Sequence, residues 1–265
     1  MDERLLDRFE PQLAGWADPL ARLHDALEKD EFALFCQPIL ALQEGERYPM
    51  AEVLVRLREE EKALLPPGDF LPVFEHYRMM PQLDRWVVRH VVERLARGSR
   101  IARLTVNVSG QSLEDAEFPG FIAAELTAKG VAASSLMFEI DESDLQHRLP
   151  AAARFAAAVK TIGVGLLIDG FCRKTVSFAP LKTLQVDLIK VDGSVIRKLL
   201  SSSVAMTKMN ALVRVAEAIG VRLVAECVED REVLARLKAL GVGYAQGFGV
   251  YQPHPLESIA APASR

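Results

Sequence analysis

Six short apolar runs each end on a single polar residue: Thr105-Val106-Asn107, Met137-Phe138-Glu139, Leu167-Ile168-Asp169, Leu188-Ile189-Lys190, Val224-Ala225-Glu226 and Tyr244-Ala245-Gln246. Brought to one place, these ends and Glu52 would make a carboxylate cluster with an amide oxygen and a lysine, and without histidine. Such donors suit a hard divalent cation, Mg²⁺ or Mn²⁺, whereas zinc favours His or Cys. The candidate metal ligands are Glu52, Asn107, Glu139 and Asp169. Lys190 is suited to neutralise a phosphate or orient a water, and Glu226 to act as a base or as a ligand of a second ion. Hydrolysis of a phosphate ester by metal-activated water is the chemistry such a group supports. Each residue also has a plainer use. Asp141, Glu142 or Glu229 can cap a following helix, and Asp192 reads more naturally as the cap of a helix starting near Ser194 than as a catalytic group. Asn107 and Ser109 can be turn residues. Taken one by one the plainer uses win; the combination across successive strand ends favours a site.

The elements that must position these residues alternate. Strands at 103–108, 135–140, 164–169, 186–191, 221–226 and 242–246 are separated by helices at 111–129, 150–161 (opened by Pro150), near 176–183, 194–219 and 229–240. Each crossover is long enough for a parallel connection. Upstream, Phe32 to Leu42 reads as a strand interrupted by Pro38, and 49–57 as another. Glu59-Glu60-Glu61-Lys62 reads as a solvated loop, and Asp69 as the cap of a short helix beginning near Phe70. Leu83, Trp86, Val87, Val91 and Leu95 share a helical face across 82–95. The pattern predicts an α/β fold, a single-domain TIM-like (β/α)8 barrel whose strand ends converge on one mouth. The expected divisions are a helical linker over 1–30 arriving from something upstream, a barrel over 31–258 and a tail over 259–265.

With 265 residues, half of them hydrophobic, the chain can bury a sizeable core. Its formal net charge of −4 disfavours a protein that wraps duplex nucleic acid, but not a small nucleotide in a cleft. Cys36, Cys172 and Cys227 are far apart and in no zinc spacing, which reads as reduced thiols and a cytoplasmic location. No signal-peptide pattern opens the chain, and no apolar run is long enough to span a bilayer.

The chain resembles the EAL domain family, which hydrolyses or binds cyclic di-GMP. Cys36-Gln37-Pro38-Ile39 is similar to the family's YQPI, and Glu52-Val53-Leu54-Val55-Arg56-Leu57 to EALxRW. Phe70-Leu71-Pro72-Val73-Phe74-Glu75 resembles FIPxAE, and Leu83-Asp84-Arg85-Trp86 resembles LDxW. Asn107-Val108-Ser109, Glu139 to Ser143, Asp169-Gly170-Phe171, Lys190-Val191-Asp192, Glu226 to Glu229 and Gln246-Gly247 follow in order, so the match spans about 30–255. The resemblance implies that Glu52, Asn107, Glu139 and Asp169 are first-metal ligands. It implies that Lys190 and Glu226 stand around the attacking water and a second metal. Gln246, Leu54, Gln37 and Arg56 would contact the dinucleotide, and Glu142 would pin the loop after the Asp169 strand. A guanidinium fork at Arg56 suits a phosphate. The family also implies a homodimer, and protein partners or upstream sensory or GGDEF-type domains.

One departure separates binding from turnover. Active members read DDFG, but here the stretch is Asp169-Gly170-Phe171-Cys172-Arg173-Lys174, so the second acid is Gly170. Two dications about 4 Å apart repel by roughly 17 kcal/mol at an effective dielectric of about 20, which is why paired sites need several carboxylates. Gly170 supplies none, and Arg173 or Lys174 is suited to take part of a missing cation's role beside a phosphate. The favoured expectation is a cyclic di-GMP receptor with weak or no hydrolysis. The alternatives are a working phosphodiesterase producing pGpG, in which Glu226 and waters still hold the second ion, and a docking scaffold using Met206, Met209, Leu212, Val213 and Val215 on the helix after Ser194.

Overall fold

Period-two alternation along the strands builds both the floor and the rim of the site. Ile39, Met50, Met137, Leu167, Leu188, Val224 and Tyr244 form one buried cluster. Each lies two residues from Gln37, Glu52, Glu139, Asp169, Lys190, Glu226 or Gln246. Residues two apart on a strand share a face, so an apolar plug lies beneath a layer of polar side chains. A much larger cluster packs the outward strand faces against the helices.

The computed structural model describes residues 16, 18–43, 45–58, 64–173 and 177–259. The charge run 59–62, Lys174, most of the N-terminal stretch and the tail beyond 259 lie outside the described residues. The elements in chain order are α1 (Pro19–Glu28), β1 (Phe32–Ala41), β2 (Met50–Arg58), β3 (Leu64–Leu65), α2 (Pro67–His76), α3 (Met80–Ala96), β4 (Arg103–Val108), α4 (Gly110–Leu113), α5 (Phe118–Lys129), β5 (Leu136–Asp141), α6 (Glu142–Ile162), β6 (Gly165–Phe171), β7 (Leu188–Val191), α7 (Gly193–Ile196), α8 (Ser203–Ile219), β8 (Arg222–Ala225), α9 (Arg231–Ala239), β9 (Tyr244–Ala245), β10 (His254–Pro255) and α10 (Leu256–Ile259). Strands β2, β4, β5, β6, β7, β8 and β9 pair in parallel. β1 closes the ring by pairing antiparallel with both β2 and β9. The fold is therefore an eight-strand barrel with one reversed strand.

Several boundaries differ from the sequence expectations. β1 runs unbroken through Pro38, which pairs with Ala51. On its other side, among the described residues, β1 pairs at 35–36 with β10 and at 40–41 with β9 and nowhere between, so a proline's missing N–H costs nothing there. Helix α6 begins at Glu142 rather than Pro150, capped by Asp141, and it kinks at Arg148 just before the proline. The segment expected as one helix over 194–219 is two, because Ser202 caps α8 through the Ala205 N–H. The helix expected over 111–129 is likewise split into α4 and α5, with Pro119 in the first turn of α5. The stretch near 176–183 forms only a 3-10 turn at Pro180–Lys182 among the described residues. Asp230, not Glu229, caps α9. Asp192 caps α7 through the Ser194 N–H. α1 packs against the barrel with Leu23 and Ala26 buried. Met209 and Leu212 of α8 are buried in the core, so the face considered for docking is largely spent on barrel packing.

Candidate functional site

Lys190 stands at the centre. Its ammonium, fully sealed from solvent, lies 2.5 Å from Glu139 Oε2, 3.0 Å from Glu52 Oε2, 3.7 Å from Asp169 Oδ1 and 3.9 Å from Glu226 Oε1. Asn107 Nδ2 donates to Glu52 Oε1 at 2.9 Å. Gln246 Nε2 donates to Glu52 Oε2 at 2.7 Å and to Gln37 Oε1 at 3.1 Å, and Gln37 Nε2 donates to the Tyr251 carbonyl at 2.7 Å. Glu52, Asn107, Glu139, Asp169, Lys190, Glu226, Gln246 and Gln37 thus form one connected group. Two other sequence candidates stand apart. Arg56 lies four residues beyond Glu52 on β2, about 13 Å along the strand, with its guanidinium 5.7 Å from the Phe35 ring. Leu54 lines a neighbouring apolar cleft of about 330 Å³ with Val53, Leu71, Leu83, Asn107 and Ser109. A second cleft, of about 210 Å³, opens over Gln37, Glu52, Glu226 and Gln246, with Phe248 on its edge.

The electrostatics follow from burial. Burial pushes the Glu139 carboxyl up to about 8, reinforced by the neighbouring Glu52 charge and only partly offset by Lys190. Burial likewise pushes Glu226 up to about 10, against the pull of Lys190. Asp169 goes the other way: burial alone would raise it, but Lys190 and its hydrogen bonds hold it below the usual carboxylate value. Lys190 is raised well above its ordinary value, because the carboxylates outweigh its desolvation.

Supporting contacts fix the loops. Asp84 Oδ2, buried on α3, accepts from the Ser109 N–H at 3.0 Å and from its Oγ at 2.6 Å, anchoring the turn after Asn107. Burial raises the Glu142 carboxyl, partly offset by the nearby backbone N–H groups of Cys172 and Arg173, which places it beside the loop after β6. That strand carries a bulge between Ile168 and Phe171, and Gly170 within it has φ +64°. Arg173 bonds Asp192 through Nε and Asp141 through Nη1, each at 2.9 Å. Gly247 and Gly249 let the loop after β9 pass against the backbone of Val228 and Glu229, where a Cβ would come within 2.3 Å and 2.1 Å.

Sequence reasoning missed three contributors. Thr105 donates to Glu139 from a fully buried position, and its place two residues before Asn107 on the same strand face was a usable signal. Phe248 exposes 64 % of its surface beside the mouth, and only the fold reveals that. Asp84 was visible only as part of a motif.

Every donor in the cluster is oxygen apart from Lys190, which is the chemistry of Mg²⁺ or Mn²⁺. Among the described residues Asp169 Oδ1 is buried without a hydrogen-bond partner, 3.7 Å from the Lys190 ammonium, an oxygen open to a cation. The acids converge on the ammonium: among the described residues, no three His, Cys, Asp or Glu side chains frame a ready metal cage. Gly170, where the resemblance implies a ligand of a second ion, offers no side-chain donor.

A barrel with one reversed strand and an acid- and amide-lined mouth closed on a buried lysine defines the class. The chain belongs to the EAL domain family, whose model matches residues 20–253. It is 32% identical over 238 residues to the cyclic di-GMP phosphodiesterase PdeF of Escherichia coli, covering 89% of this chain and 32% of that protein. The chain thus spans about a third of the length of such curated relatives. Among solved structures, the FimX EAL domain from Pseudomonas aeruginosa bound to c-di-GMP aligns with a TM-score of 0.84 at 29% identity, over 89% of this chain and 96% of that one. The PaMucR phosphodiesterase in complex with c-di-GMP aligns with a TM-score of 0.83 at 27% identity, over 91% and 98%. No described helix is long and apolar enough to cross a membrane.

Proposed function

We propose that the chain binds cyclic di-GMP across the barrel mouth and acts as a receptor or signalling module with weak or no hydrolysis. Gly170 is the observation that carries this reading: the acids survive on both sides of a position that has lost its carboxylate. The c-di-GMP complexes of FimX and PaMucR support the choice of ligand. Gln37, Glu52, Asn107, Asp169 and Gln246 would meet the ligand at the floor of the mouth. Arg56 would meet a phosphate from the rim, where its fork is half-buried and faces no described carboxylate at ion-pair distance. Leu54 and the exposed Phe248 ring would offer apolar and stacking surface to a base.

Glu52, Asn107, Glu139 and Asp169 would hold a first Mg²⁺ or Mn²⁺. When bound, that ion supplies phosphate polarisation and an acidified water. Lys190 keeps Glu52 and Glu139 oriented through its two short contacts, and Glu226 holds a proton at its carboxyl beside Asp169. A second ion does not fit the residues present. A homodimer, upstream domains and protein partners are carried by the family resemblance.

The second reading is a working metal-dependent phosphodiesterase producing pGpG, favoured by the intact grouping of Lys190, Glu226 and Asp169 and by relatives such as PdeF. It requires turnover that Glu52→Ala abolishes. Calorimetric titration tests binding itself: cyclic di-GMP should bind, and Arg56→Ala should weaken it by roughly ten-fold, about 1.4 kcal/mol. No heat of binding with or without divalent metal would overturn the proposal.

A further inference from the structure

We propose that Arg173 is a tethered cation standing in for the second divalent ion, so that the chain takes at most one metal and binds its nucleotide without a second. The nucleotide half of this inference rests on the receptor reading above; the metal half does not.

The first observation is positional. An ideal Cβ built on Gly170 would lie 2.4 Å from Arg173 Nη2 and 2.8 Å from its Cζ. The guanidinium therefore fills the volume that a side chain at position 170 would enter. Position 170 carries no side chain, and a positive charge from position 173 occupies the space where one would lie.

The second observation is that this charge is fixed. Arg173 Nε bonds Asp192 Oδ2 and Nη1 bonds Asp141 Oδ2, each at 2.9 Å. Neither acid is free to swing away. Asp141 Oδ1 also accepts from the Ser143 N–H at 2.8 Å, and Asp192 Oδ1 from the Ser194 N–H at 2.8 Å, as caps of α6 and α7. The Arg173 N–H itself donates to the Gly170 carbonyl at 3.2 Å. The arginine thus ties together the ends of β5, β6 and β7, the strands that carry Glu139, Asp169 and Lys190.

The third observation is what remains available. Nη2, the nitrogen over Gly170, makes no hydrogen bond among the described residues, and the side chain is 46 % exposed. A planar fork with two nitrogens locked and a third open presents a directed donor to a phosphate oxygen. The same charge repels a divalent ion arriving at a position that offers it no ligand.

The test has two readouts on the full chain. Mn²⁺ per chain is counted by equilibrium dialysis without nucleotide, and cyclic di-GMP affinity is measured by calorimetry in EDTA. Wild type should take no more than one Mn²⁺. The double variant Gly170→Asp with Arg173→Ala should gain one, since Asp is among the residues that tolerate a left-handed φ. Arg173→Ala alone should lose roughly ten-fold or more in affinity in EDTA, with Arg173→Lys recovering part of it, because an ammonium keeps the charge but cannot hold both acids and a phosphate. Thermal melts establish that each variant is folded; if Arg173→Ala does not fold, Arg173→Lys and the wild-type ion count decide. Two Mn²⁺ per wild-type chain, or unchanged affinity in folded Arg173→Ala, would overturn the inference. Absence of nucleotide binding under every condition would instead sink the receptor reading, and the ion counts would still judge the arginine.

Discussion

Lys190 Nζ lies 2.5 Å from Glu139 Oε2, and both side chains are sealed from solvent. A buried ammonium would be costly there without the acids around it. Lys190→Met should leave Asp169 and its neighbouring carboxyl groups without a counter-charge. In EDTA this should destabilise the fold by about 3–5 kcal/mol, measured by urea denaturation. A loss near zero would mean that the carboxylates neutralise without the lysine.

The raised Glu139 carboxyl sets a pH dependence. The native group keeps its proton up to about 8, whereas the unfolded chain releases it near its ordinary value of 4.5. The native state binds more protons across that window, so this contribution is fully present below about 4.5 and is lost as pH rises through about 8. Denaturation midpoints in EDTA should therefore show a downward trend with pH that is weaker in Glu139→Gln. A parallel trend in wild type and variant would contradict the assignment.

Gly247 permits a backbone crossing. A Cβ there would lie 2.3 Å from both Val228 N and Val228 O, with neither able to rotate away. Gly247→Ala should cost about 1–3 kcal/mol and displace Gln246 from Glu52. Wild-type stability in the variant would show that the loop relaxes freely.

Asp84 acts at a distance from the mouth. Its carboxylate receives both donors of Ser109, two residues after Asn107. Asp84→Ala should lower stability by about 1–3 kcal/mol, since it strands a half-buried N–H, and should weaken nucleotide binding through Asn107. Unchanged affinity in a folded variant would make Asp84 purely structural.

Much of the fold was legible because the alternation at Met137/Glu139, Leu167/Asp169 and Leu188/Lys190 writes floor and rim directly into the chain. The errors lie where local signals compete. Pro38 looks like a strand breaker until the missing partner on its open side is known. Pro150 looks like a helix start, but Asp141 caps earlier and the helix kinks instead. The Ser201-Ser202-Ser203 run was a readable break in the 194–219 helix, with Ser202 as its cap. The clustering of Asn107, Lys190 and Gln246 was predictable from strand ends, whereas Glu52 sits near the start of β2. The place of Arg173 over Gly170 was not, because it depends on a bulge, a left-handed glycine and two acids on other strands.

A mouth that holds cyclic di-GMP without efficiently cutting it, as proposed, is open to a single experiment. The most direct measurement incubates the protein with cyclic di-GMP in EDTA, Mg²⁺ or Mn²⁺, measures binding, and then resolves the nucleotide by chromatography. Saturable binding is expected, with the cyclic dinucleotide recovered intact or nearly so. Rapid conversion to linear pGpG with either metal would contradict it.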